Sequence, residues 1–174
     1  MLSGFSMGYS GSNDQGVNQI SASIDIDSDN GSGSITLGGT CVLAESTKTK
    51  ADELTLAGSL LADFNTPSLF EVISFSGTSS GASVTFSQEV TSAQAVLTSF
   101  NAQYDGSDDH KVKEFVVSYS YFWVDGVGLQ PDGRTFVFRN SKPTLEDDSD
   151  NHQGSASYAN YLVIGAVKQP DPGA

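Results

Sequence analysis

What the chain has little of narrows the field first. Of 174 residues only 8 are Lys or Arg, against 21 Asp or Glu, so the formal charge is −13. Nucleic acid and anionic membranes are held by clustered cationic side chains. Lys48 with Lys50, and Lys111 with Lys113, are the densest basic pairs, and neither makes a patch; no nucleic-acid partner is expected. No apolar stretch approaches the roughly 20 residues of a membrane-spanning helix. The longest, 115–124, is broken by Ser118 and Ser120, so no membrane insertion is expected. The single cysteine, Cys41, cannot close an internal disulfide, and its place in the run Ile35, Leu37, Cys41, Leu43 suits a small buried apolar residue. Residues 1–5 lack the basic and apolar regions of a signal peptide, so synthesis in the cytoplasm is expected.

What is there points to strands. Only 37% of residues are hydrophobic, and 27 Ser and 18 Gly fill the deficit rather than charge, unlike a disordered acidic tail. Ile20, Ala22, Ile24 and Ile26 alternate with Ser21, Ser23, Asp25 and Asp27, the two-residue period of a strand with one buried and one wet face. Asp29-Asn30-Gly31 then supplies the positive φ of a hairpin turn, and Ile35 to Leu43 return. Phe115, Val117, Tyr119, Tyr121 and Trp123 alternate before Asp125-Gly126, with 135–139 expected to return beside them. Further strands are read at 54–64, 70–75, 82–87 and 157–167.

A self-comparison at an offset of 95 pairs Leu2 with Leu97, Phe5 with Phe100, Tyr9 with Tyr104, Gly11 with Gly106, Asp14 with Asp109 and Val17 with Val112. We read a degenerate tandem repeat. It bears on residues 88–104, where Val90, Ala93, Leu97, Phe100 and Tyr104 stand at helical spacing. The matching segment holds Gly4 and Gly8, each costing about 1 kcal/mol inside a helix. Strand is therefore expected, with one helical turn at 92–95. The expected fold class is all-β, an antiparallel β-sandwich or pair of sandwiches built from the repeat. Residues 1–66 form the first repeat, 67–168 the second with two extra leading strands, in one shared sandwich or two, and 169–174 a flexible tail. The strands of 70–87 either serve one shared sandwich or leave the first repeat with an open edge.

Coherent catalytic chemistry is missing, and no enzyme is expected. Gly4-Phe5-Ser6-Met7-Gly8 matches the nucleophile-elbow pattern without the following helix that would aim the serine. Asp25-Ile-Asp27-Ser-Asp29 opens like an EF-hand loop, but Thr36 stands where the bidentate Glu belongs. Two acidic loops each end in a histidine. They run from Asp105 to His110 and from Glu146 to His152, with Asp105, Asp108, Asp109 and His110 as candidate ligands in one and Asp148, Asp150 and His152 in the other. Should the fold join them, carboxylates could hold Ca²⁺, or Zn²⁺ or Mn²⁺ with the imidazoles. The opposing reading is solvated turns, whose Asx side chains bond their own backbone. No other cofactor is expected. Tyr119, Tyr121, Phe122 and Trp123 concentrate aromatic surface; Trp123 is assigned to the core, and Phe122, out of phase with that face, to an exposed contact.

The spacing of Ser83-Val84-Thr85-Phe86-Ser87-Gln88-Glu89-Val90, then Ala95-Val96, resembles the opening strands of H-type lectins, small sandwiches that assemble as oligomers and bind sugars. It covers only this segment, and no binding residue is carried over. Repeated sandwiches rich in Ser, Gly and Asp with an unpaired Cys also resemble virion components such as capsid decoration or tail proteins. These resemblances imply a structural protein of an assembled particle, associating with itself or with other particle proteins. The alternative is a carbohydrate-binding module using the two acidic loops, with Ca²⁺ as a candidate cofactor.

Overall fold

A computed structural model describes residues 2–8, 16–28, 35–44, 53–58, 69–77, 82–106, 108–117, 128–138 and 143–170. These residues are all-β and contain no helix, hence none long and apolar enough to cross a membrane. The strands in chain order are β1 (Leu2–Gly8), β2 (Gln19–Ser28), β3 (Ile35–Ala44), β4 (Glu53–Gly58), β5 (Phe70–Gly77) and β6 (Ser83–Thr85). They continue with β7 (Val90–Gln103), β8 (Val112–Val116), β9 (Gly128–Leu129), β10 (Thr135–Val137), β11 (Thr144–Asp147) and β12 (Tyr158–Val167). All described pairings are antiparallel.

Five strands form the main sheet in the order β3-β2-β7-β12-β5. Strands from both halves of the chain therefore share it. Along β12 the inward side chains Ala159, Tyr161 and Val163 are buried with Gly165, while Asn160, Leu162 and Ile164 on the other face are half-buried. Inward residues of neighbouring strands meet in register: Ala22 and Ala159 both face Phe100, and Val163 faces Ala95.

Three small sheets, β6-β10-β9, β8-β11 and β1-β4, accompany it. Phe138, just past β10, stacks on Phe75 of β5 with ring centroids 4.4 Å apart and lies 5.6 Å from Tyr161. Phe115 of β8 meets Phe100 at 5.4 Å. Phe86 lies over Gly165, where a Cβ would fall 2.8 Å from the ring; the glycine makes room for it. Leu2 and Cys41 also pack against this core. Burial raises the Cys41 thiol pKa.

The strand reading of 88–104 holds, but no helical turn occurs at 92–95. Residues 92–95 pair regularly and bulges stand on either side of them: β7 pairs Ser99 with Asn160 and then Leu97 with Tyr161, and later Ser92 with Ala166 and then Val90 with Val167. Each extra residue turns one two-residue step into three, so Val90, Ala93, Leu97 and Phe100 stay on one face without any helix. A second expectation fails as well. Residues 135–137 return beside β6 and β9, not beside β8, whose partner is β11. The expected turns at 29–31 and 125–126, the junction at 63–68, the aromatics 119–123 with Phe122, and most of the 169–174 tail lie outside the described residues.

Candidate functional site

The two acidic loops do meet, and a buried trio joins them. Strand β7 is followed by Tyr104, whose amide donates to Asn18 O at 3.0 Å. The chain then turns through Gly106 at φ 92°, a conformation glycine adopts without steric cost. It returns at His110, which exchanges both backbone hydrogen bonds with Val17, at 2.8 and 3.1 Å. One short segment, Val17-Asn18, thus holds both ends of the loop. The Asn18 side chain also donates to Asp108 O at 3.2 Å, and Gly16 runs so close to Asp109 that a Cβ there would overlap it.

Strands β8 and β11 carry the second loop to the first. His110 Nδ1 lies 2.6 Å from Asp147 Oδ2. The same carboxylate accepts from the amides of Ser149 and Asn151 at 2.8 Å and from Asn151 Nδ2 at 2.9 Å. The Asn151 side chain, then His110 and the backbone amides, hold the Asp147 carboxyl well below the usual carboxylate range against the opposing effect of burial. Because that carboxylate is ionised, Nδ1 carries the proton of the shared bond. The loop closes through Asp150 at φ 60°, a left-handed conformation that aspartate tolerates.

Tyr104 stacks on the imidazole with centroids 3.9 Å apart. Its residue exposure is 2%, and burial, followed by the charges of Asp147 and Glu146, pushes its pKa up to about 12. The Tyr104 hydroxyl and His110 Nε2 are buried with no hydrogen-bond partner among the described residues. A carboxylate on one imidazole nitrogen and a bare second nitrogen is the arrangement that orients a base or a metal ligand. Here the second nitrogen is closed off from solvent, so the trio is built as an anchor between loops.

The remaining loop carboxylates are engaged or turned outward. Asp105 accepts from the Ser155 amide at 3.3 Å. Asp150 and Glu146 lie 2.8 and 2.7 Å from Lys113 Nζ; the bonds to Asp150 and then Glu146 raise the lysine pKa, and Lys113 lowers that of Asp150. His152 is exposed, 3.4 Å from Glu146. Asp148 is exposed and donates its amide to Lys111 O. Among the described residues no three His, Cys, Asp or Glu side chains converge on one ion position. The sequence reading placed Glu146 and Asp147 in the second acidic loop but carried neither of them, nor Tyr104 or Lys113, as site residues. The Asp147-to-Asn151 spacing of a self-bonded Asx loop was the signal available.

A second region lies on the outer face of the main sheet. Thr40, Ser23, Ser99, Asn160 and Ser76 form one row across all five strands. Two hydrogen bonds of 2.8 Å stitch it, Ser23 Oγ to Thr40 Oγ1 and Asn160 Nδ2 to Ser99 Oγ. Beyond it apolar residues join the polar ones: Leu162 lies between Val96 and Ser74, and Ile164 between Gln94 and Val72, which is 52% exposed. Compared with protein-family models, curated proteins and solved structures, the chain matches none.

Proposed function

We propose that the chain is a non-enzymatic structural and interaction protein of an assembled particle, a virion component such as a decoration or tail protein, folded as a β-sandwich from a degenerate tandem repeat. The observation that carries this reading is the uncharged half of the outer sheet face, where Val72, Val96, Leu162 and Ile164 stand with Ser74 and Gln94, in a chain of formal charge −13. Among the described residues none of the outward side chains around these positions, on 92–96 of β7, 162–166 of β12 and 70–74 of β5, is ionisable. Two copies of so acidic a chain repel each other wherever carboxylates meet; this face lets them approach without that cost. Its occupant is therefore a second copy of the chain. Strand β5 adds to the case as an edge strand of the described sheet with neither Lys nor Pro, the usual guards against pairing.

Light scattering after size exclusion tests the reading. The wild-type chain is expected to run as a multiple of 18.2 kDa, and the Val72→Lys/Ile164→Lys variant, with strand content unchanged by circular dichroism, as a monomer. A monomeric wild type at high micromolar concentration overturns it.

A further inference from the structure

We infer that the polar half of the outer sheet face is a binding site for a neutral saccharide, distinct from the acidic loops and independent of the assembly reading. A recess of about 270 Å³ lies over β2, β7 and the start of β12, lined by Gln19, Ser21, Ser23, Thr40, Asn101 and Tyr158 among others. Among the described residues no Asp, Glu, Lys or Arg lines it, although the chain holds 29 of them, 21 acidic plus 8 basic. Such a lining brings no formal charge to an ion. Hydroxyl and amide groups both donate and accept, which suits a ligand whose own polar groups are hydroxyls.

The lining is also fixed in place before any ligand arrives. Asn101 is 8% exposed. Its Oδ1 accepts from Gln19 Nε2 at 2.7 Å, and its Nδ2 donates to Gln103 Oε1 at 2.9 Å and to Ala156 O at 3.2 Å. The Gln19 amide is thereby oriented, with its Oε1 unpartnered among the described residues, as is the Ser21 hydroxyl. Groups immobilised in advance lose less entropy on binding. Tyr158, 39% exposed at the recess wall, supplies an aromatic surface for the C–H face of a sugar ring while its hydroxyl stays wet. Pockets of a few hundred Å³ hold small ligands, so the recess suits one ring.

The test is a glycan array carrying neutral, sialylated and sulfated oligosaccharides, probed with the wild-type chain in Ca²⁺ and in chelator, followed by titration calorimetry with the best neutral oligosaccharide. Binding to neutral glycans in both conditions is expected, with a loss of at least tenfold in Tyr158→Ala and in Ser21→Asp, each checked for unchanged strand content. Val72→Lys should bind as the wild type does, which separates this site from the assembly face. No glycan bound, binding abolished by chelator, binding confined to charged glycans, or binding that survives both substitutions overturns the inference.

Discussion

Replacing Tyr104 by Phe should make the protein more stable, although it deletes a polar group from the centre of the loop anchor. The hydroxyl is buried and has no hydrogen-bond partner among the described residues. A buried polar group left unpaired costs about 1–3 kcal/mol relative to water. Phenylalanine keeps the ring that stacks on His110 at 3.9 Å and removes that cost. Allowing for the small void left behind, the expected gain is about 1 kcal/mol, or roughly 2–4 °C in melting temperature for a chain of this size. Urea and thermal unfolding followed by circular dichroism would read it. The alkaline limb gives a second readout. The Tyr104 pKa is raised from 10.0 to about 12 in the fold, so its neutral form is favoured there. The unfolded chain ionises first, and wild-type stability falls as pH rises from 10 toward 12. The variant has no phenol to lose at this position, so its advantage should widen over that window. Destabilisation by more than about 1 kcal/mol would refute the reasoning, since a group that costly to remove is hydrogen-bonded.

Other outcomes follow from the same geometry. The Asp147 pKa is lowered from 3.8, chiefly by the Asn151 side chain, so its contribution is present above the ordinary carboxylate range and lost as pH falls below about 4. Melting temperatures across pH 2–7 should drop there in the wild type, while Asp147→Asn should begin lower and show a shallower acid limb. Phe138→Ala empties the space between Phe75, Phe136 and Tyr161 and should cost about 3–5 kcal/mol in urea unfolding; a loss under about 1 kcal/mol would mean those rings do not share a packed core. Gly165→Val drives a side chain into Phe86 and Val90 and should cost about 1–3 kcal/mol. Phe86→Leu added to it should restore part of that loss, and a purely additive double variant would count against the close contact.

Strand content was legible because one buried and one wet face impose alternation, as in β2. Strand β7 was harder. Val90, Ala93, Leu97, Phe100 and Tyr104 carry spacings of three and four, which a helix also produces. Here they arise from alternation interrupted by extra residues at Thr91 and Thr98. Composition does not distinguish the two, since a bulge answers to the register of the neighbouring strand. Pairing was hidden for a similar reason: that β8 meets β11 rather than β10 depends on contacts far apart in the chain. The acidic run Glu146-Asp147 read as loop, yet both residues belong to a strand. Lys113 and His110 from the adjoining segment make that placement tolerable for charged groups. The outer sheet face escaped sequence reading altogether, because a row such as Thr40-Ser23-Ser99-Asn160-Ser76 exists only once five strands are in register.

Strand order in the main sheet also sets a schedule for the nascent chain. Of the described strands β12 is the last made, yet it lies between β7 and β5 and is the partner of both. Ribosomes add about 5–20 residues per second. After Gln103 emerges, 64 further residues separate it from Val167 (167 − 103). For roughly 3–13 s, then, β7 holds the early hairpin on one side and nothing on the other, while β5 waits without its neighbour. A message truncated before Tyr158 would yield a chain with both edges exposed for good, an adhesive species that the cell must clear or chaperone.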